Sequence, residues 1–348
     1  GVIHERMTDP MLGECLDHLM NNPVVALSSV EQCNIREAQR SYDLETKVPK
    51  RLVQELAELG SRGHGIWVQT RKENRFTDFA PVLKHFLLLK KEWAQCVSPE
   101  LQPYDANIDL FERGTTMAMI TPIFERLKQH LIPLIQEIQD SAAQPDTSFM
   151  QGQFALDKQE ALARKISQDI GFSFDRGRMD VSVHPFCGGS HPTDVRITTR
   201  YKTNNIIESL YSIIHETGHA LYEQGRPYEL GDLPVSESLT MGIHESQSLF
   251  WERMIGQSRP FCSHYFELFK TTFPNNFTSV TVDGFYRALN VCKPDFIRVE
   301  ADEITYPLHV ILRYEIEKGL FDDSMQVDDL PQIWNELMEK YLAIKPPT

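Results

Sequence analysis

No apolar run in the sequence approaches the roughly 18 residues that a membrane-spanning helix needs. The longest, such as Ile132-Pro133-Leu134-Ile135, are short and bounded by charge, which argues against a helical membrane protein. Positive charge is not in excess either. The 348 residues carry a formal net charge of −14, and a nucleic-acid partner would require a basic face. There is no C-x-x-C pair. Cys15, Cys33, Cys96, Cys187, Cys262 and Cys292 stand apart. In a chain of this length they read as free thiols in a reducing, cytoplasmic setting, not as a disulfide framework. No internal repeat, low-complexity linker or signal segment is visible. The chain begins at Gly1 and not at Met, so it reads as processed, engineered or a fragment, with room for an address signal before it.

What is present is the mix of a water-exposed folded protein, 41% hydrophobic and 24% charged, in enough chain to bury a large core. The first half reads as successive helices. Thr8-Asp9-Pro10 starts one that stops at Asn21-Asn22-Pro23. Ser28 followed by Glu31 is a capping-box pattern. Apolar residues at three- and four-residue spacing predict further helices near 49–59, 78–95, 122–140 and 157–170, with a loop over 141–152. At Arg176 the period changes. Met179–Val183 and Asp194–Thr198 alternate as strands do, around a Gly-rich loop at Cys187-Gly188-Gly189-Ser190. Helices then resume. The expectation is a mainly α protein with one small sheet, folded as a single region over 1–348.

The chemistry concentrates in His215-Glu216-Thr217-Gly218-His219, flanked by apolar residues on a predicted helix that ends at Gly225 with Pro227 beyond. Two histidines four residues apart lie one turn apart on one helix face, where both imidazoles can reach one metal ion. An incidental His pair on a surface helix is the bland alternative, but unpaired histidines on an apolar helix are costly. Glu245 is the candidate third ligand. It follows His219 by 26 residues, on a second helix expected over 237–255 that returns across the first. His244 is its rival, displaced about 100° round that helix. Two His and one Glu with an open position is a catalytic zinc arrangement. Such an ion lowers the pKa of its water towards neutrality. Glu216 is then the general base that takes the proton and passes it to the leaving amine.

With these residues in hand, the sequence resembles the carboxypeptidase Taq family, the thermostable carboxypeptidase 1 type. The likeness rests on His184-Pro185-Phe186, Asp194-Val195-Arg196-Ile197-Thr198, His215–His219, His244-Glu245-Ser246-Gln247 and Ile297-Arg298-Val299-Glu300-Ala301-Asp302, in that order. They match the family's H-P-F, D-x-R-x-T, H-E-x-x-H, H-E-S-Q and I-R-x-x-A-D segments. The resemblance implies a helical, zincin-like fold with a deep active-site groove and a small sheet beside it. It also implies removal of single residues from peptide C-termini with broad specificity, a homodimer, and zinc that cobalt can replace. Arg196 and Arg298 match family arginines near the closed end of the groove, and Arg holds a terminal carboxylate bidentately. Asp194 reads as a structural partner of Arg196. A helix ion pair with Asp302 is the alternative for Arg298.

His184 is a further candidate substrate contact, with a purely structural loop histidine as the alternative. Arg298, Asp302, Tyr306, His309 and Arg313 are expected to share one helix face that lines the groove, kinked at Pro307, with a solvated face as the alternative. Tyr306 and His309 are the candidates for the oxyanion donor. Family members extend further at both ends, and their C-terminal part carries aromatic and His residues that bind substrate. The competing functions are an oligopeptidase or dipeptidyl carboxypeptidase on the same architecture, and an inactive metal-binding scaffold left by truncation.

Overall fold

A computed structural model describes residues 2–21, 26–238 and 240–346. In chain order the helices are α1 (Val2–Met7), α2 (Pro10–Asn21), α3 (Ser29–Lys47), α4 (Lys50–Lys72), α5 (Phe76–Val97), α6 (Pro103–Asp109), α7 (Met117–Asp140) and α8 (Leu156–Asp169). Three strands follow, β1 (Gly177–Val181), β2 (Cys187–His191) and β3 (Asp194–Thr199). The helices resume with α9 (Ile206–Gly225), α10 (Met241–Leu249), α11 (Arg259–Thr272), α12 (Pro274–Phe277), α13 (Val282–Leu289), α14 (Tyr306–Phe321) and α15 (Leu330–Leu342). The fold is therefore mainly α with one small sheet. None of the described helices is long and apolar enough to cross a membrane.

The chain divides into two compact units, Gly1–Ile132 with Leu233–Val235 and Pro307–Thr348, and Pro133–Asp232 with Ser236–Tyr306. In the first unit, Leu52, Leu59, Leu89, Ala94 and Val97 close a core between α4 and α5. The capping box at the start of α3 is formed as the sequence suggests: Ser28 Oγ accepts from Glu31 N at 3.3 Å, and Glu31 Oε2 accepts from Ser28 N at 2.7 Å. The predicted stop of the first helix runs into residues 22–25, outside the described residues, and α2 is described to Asn21.

The second unit has its own core, dominated by aromatics and β-branched residues. Phe154, Phe172, Ile197, Ile213, Ile214, Phe269, Phe277 and Phe285 are all fully buried. Each such side chain contributes about 1.5–3 kcal/mol on leaving water. Phe277 meets Phe285 edge to face, centroids 5.6 Å apart, the arrangement that opposes ring-edge and ring-face charge.

The sheet has the order β1-β3-β2, with β1 parallel and β2 antiparallel to β3. Here the structure corrects the sequence reading. The Gly-rich stretch at Cys187–Ser190 is strand β2, not a loop. A side chain at Gly189 would collide with the Asp194 carbonyl of β3, so the glycine serves close strand approach. Two strand patterns were visible because their side chains alternate; β2 has too few side chains to alternate.

Candidate metal centre

Helix α9 starts on Asn205, whose Oδ1 accepts from Ile207 N at 2.9 Å and Glu208 N at 3.3 Å. Ile206, Leu210, Ile213, Ile214, Thr217 and Ala220 turn into the core of the second unit. That anchorage sets the helix rotation, and the His215 and His219 rings come together on its other edge, centroids 4.9 Å apart. Thr217 is pinned by its hydroxyl to Ile213 O at 2.6 Å and to Ser167 Oγ at 3.0 Å.

The third donor arrives because Gly218 has no side chain. A Cβ there would lie 2.6 Å from Ser248 Cα and 2.7 Å from Gln247 O, so only glycine lets α10 cross α9 this closely. The crossing places Glu245 Oε2 3.1 Å from His219 Nε2 and 3.7 Å from His215 Nε2. Each of His215, His219 and Glu245 offers one ligand atom, all within 4.8 Å of one another. Two imidazoles and one carboxylate converging at this spacing fit a divalent ion with a position left open.

The far side of each imidazole is also held. His215 Nδ1 meets Glu252 Oε2 at 2.7 Å, and Arg253 Nε steadies that carboxylate at 3.0 Å. Glu252 lies on a π-helical segment, Phe250–Ile255, that continues α10. Wider winding of this kind is frequent at functional sites. The second helix is thus shorter than the expected 237–255: α10 begins after Thr240, whose hydroxyl caps Ile243 N at 3.3 Å, and it ends in the π segment. His219 Nδ1 meets His244 Nδ1 at 2.6 Å, and His244 Nε2 meets Glu223 Oε1 at 2.7 Å. Both nitrogens of His244 are thereby engaged, and among its neighbours it is Glu245 that joins the donor cluster.

The electrostatics divide the carboxylates by role. The hydrogen bond from His219 holds Glu245 down at about 2, against burial, with the nearby His215 adding to it; the group stays ionised as a ligand must. Burial pushes the adjacent Glu216 up to about 7, with the charges of Glu245 and Glu252 adding and His215 opposing. A carboxyl poised there exchanges protons near neutral pH.

Comparison with known proteins was decisive for kinship. The family model described as carboxypeptidase Taq (M32) metallopeptidase matches residues 1–348. The chain belongs to this family. It is 40% identical to carboxypeptidase 1 of Bacillus subtilis across 89% of this chain and 62% of that one. It is 35% identical to thermostable carboxypeptidase 1 of Thermus thermophilus across 99% of this chain and 69% of that one. The crystal structure of an M32 carboxypeptidase from Deinococcus radiodurans superposes with a TM-score of 0.96 at 34% identity, covering all of this chain and 69% of the other. The chain thus spans about three-fifths of the length of the Bacillus relative and somewhat more of the others.

The remaining family motifs fall in different surroundings. Arg196 is exposed on β3 and doubly bonded to Asp194, at 2.9 and 2.8 Å, as the sequence suggested for that aspartate. His184 is exposed, its Nδ1 2.6 Å from the Pro185 carbonyl. Arg298 donates to Tyr306 Oη at 2.9 Å. The alternative considered for Arg298, an ion pair with Asp302, is not what forms: Asp302 accepts instead from Ile304 N, Thr305 N, Thr305 Oγ1 and Lys293 N.

The proposed common helix face is also corrected. Arg298 sits in a single 3-10 turn, Arg298–Glu300, and α14 begins only at Tyr306. Pro307 therefore stands in the first turn and kinks nothing, a position where its missing N–H costs no helix bond. His309 and Arg313 follow on α14, with His309 fully buried. The sequence reading missed Glu223, Glu252 and the engagement of His244. A faint signal existed: Glu223 is four residues after His219, and Glu252 is seven after Glu245, both same-face spacings.

Proposed function

We propose that this chain is the catalytic region, over 1–348, of a zinc carboxypeptidase that releases single residues from peptide C-termini with broad specificity. One observation carries the reading: ligand atoms of His215, His219 and Glu245 converge within 4.8 Å beside a buried Glu216. When bound, the ion supplies Lewis-acid polarisation of the scissile carbonyl and acidification of water. His215, His219 and Glu245 would hold it. Cobalt, sharing this donor preference, would replace it.

Glu216 acts as the general base. Its carboxylate accepts a proton from the attacking water and, now neutral, delivers it to the departing amine nitrogen. Burial and the nearby carboxylates of Glu245 and Glu252 favour uptake of that proton by Glu216. The substrate's terminal carboxylate needs a cation. Arg298 is held by a neutral hydroxyl, so its charge remains available; Arg196 already shares its charge with Asp194. Arg298 with Tyr306 is thus the foremost proposed substrate contact. Arg196 and His184 follow as exposed groups. His309 would serve only once uncovered, since it is fully buried. Six free cysteines and a net charge of −14 accord with a cytoplasmic protein that acts on peptides and binds no nucleic acid. The homodimer belongs to the same proposal.

The test is hydrolysis of an N-blocked peptide read by mass spectrometry, with and without added Zn2+ or Co2+. Stepwise loss of single C-terminal residues is expected, reduced at least about 100-fold in Glu216→Gln. Release of dipeptides or internal cleavage would replace this reading with an oligopeptidase. Metal uptake without cleavage would leave a binding scaffold.

A further inference from the structure

We propose that His244 and Glu223 are positioning residues for the metal centre: His244 fixes the tautomer and ring orientation of His219, and Glu223, clamped by Arg226, fixes His244. The inference rests on reading His215, His219 and Glu245 as the ligands. It follows from counting protons along a chain of contacts. Without an ion His219 Nε2 would donate to Glu245 Oε2, 3.1 Å away; once that nitrogen turns its lone pair towards a cation, the ring must carry its proton on Nδ1. His219 Nδ1 then donates to His244 Nδ1, 2.6 Å away. That nitrogen must be unprotonated to accept, so His244 carries its one proton on Nε2. Glu223 Oε1 accepts it at 2.7 Å. Every donor finds an acceptor, and only one arrangement of protons satisfies the whole chain with His244 uncharged.

The two ligand imidazoles are therefore held differently. His215 rests directly on the carboxylate of Glu252, whereas His219 reaches its carboxylate through a second imidazole. The end of the chain is itself anchored. Arg226 Nη1 bonds Glu223 Oε2 at 2.5 Å, Arg226 Nη2 donates to Gly231 O at 2.9 Å, and Arg226 Nε reaches Ser236 Oγ at 3.2 Å. The side chains of His244, Glu223 and Arg226 are 17%, 19% and 14% exposed, shielded enough from water for these bonds to hold a ring in place. The segment after α9 is thus tied through four side chains to the orientation of one metal ligand.

Zn2+ affinity, measured by competition with a chromophoric chelator, distinguishes positioning from packing. Partners behind a ligating histidine are typically worth 10- to 100-fold in metal affinity. His244→Phe fills the space but cannot accept a proton, and should lose about 10- to 100-fold. His244→Asn places an oxygen near the site of Nδ1 and should recover most of that loss, although it leaves a void. Glu223→Leu should weaken binding relative to Glu223→Gln, which still accepts from His244. If His244 served only as packing, the order would reverse, with Phe binding normally and Asn weakly, and the proposal would be overturned. Circular dichroism of each metal-free variant reports folding. Should His244→Phe fail to fold, the Glu223 pair decides, and equal affinities there overturn the proposal. A wild-type chain that takes up no Zn2+ would sink the ligand reading itself, and this inference with it.

Discussion

Gly218→Ala is the smallest change that should disturb the metal centre. The added Cβ would lie 2.6 Å from Ser248 Cα, 2.7 Å from Gln247 O and 3.1 Å from Gln247 C. Ordinary contact begins near 3.4 Å, so α10 must retreat by about 0.8 Å, the difference between 3.4 and 2.6 Å. All three atoms are backbone, and no rotamer change relieves them. Catalytic and binding groups need to be held within about 0.5 Å. Glu245 lies on α10 three residues before Ser248 and travels with it. Two energies compete. Alanine favours a helix over glycine by about 1 kcal/mol, whereas overpacking costs about 1–3 kcal/mol. Contact with rigid backbone belongs at the upper end, leaving a net loss of about 2 kcal/mol. Zn2+ affinity should fall about 10- to 100-fold, as it does when ligand support is lost. Urea unfolding with chelator in excess reads the first quantity, and chelator competition reads the second. A variant more stable than the parent, with Zn2+ affinity unchanged, would refute the claim that this glycine sets the helix crossing.

Two further outcomes follow from groups around α9. Glu252→Ala removes the acceptor for His215 Nδ1 and should weaken Zn2+ binding about 10- to 100-fold in the same competition assay; unchanged affinity would show that the π segment plays no part in ligand orientation. Glu208 supplies a pH-dependent effect. Burial raises its pKa, but hydrogen bonds from Lys202 and Arg200 outweigh burial and hold it below its ordinary 4.5. A depressed carboxyl favours the folded state above 4.5, and that contribution is lost as pH falls through the folded pKa. Glu208→Gln should therefore cost up to about 1 kcal/mol at pH 7, with the difference from the parent shrinking below pH 4.5. Urea midpoints that stay equally far apart at low pH would contradict the sign.

Local signals made much of the fold legible. The Ser28–Glu31 cap, Pro10 in the first turn of α2 and Gly225 at the end of α9 mark helix ends because they satisfy or terminate backbone bonds near themselves in sequence. Helices α4, α5 and α7 run beyond their predicted bounds. Their apolar spacing located the middle of each helix, whereas the glycine-interrupted stretch of α4 after Leu59 and the Met117–Ile120 start of α7 fell outside the expected bounds. Strand β2 escaped because its identity lies in the neighbour it pairs with, not in its own residues.

The metal centre shows the same division between near and far. His215 and His219 could be read together because helix geometry alone makes them neighbours. Glu245 was within reach because it follows His219 by 26 residues, room for one loop and a returning helix, and stands in the His244-Glu245-Ser246-Gln247 segment that resembles the family's. The supporting partners carry only a faint local signal, the same-face spacing of Glu223 and Glu252. Glu252 reaches His215 from a π-helical segment, where the residue spacing departs from that of an α-helix. His244 and its sequence neighbour Glu245 both reach His219, the first at Nδ1 and the second at Nε2. A candidate ligand set can thus be read from spacing, but its tautomers cannot. They are decided by which carboxylate the fold brings behind each ring, and here the two rings differ: a direct Glu252 for His215, and Glu223 through an intervening imidazole for His219. Swapping those supports, and not the ligands, is therefore the way to ask how much of the metal affinity the fold itself supplies.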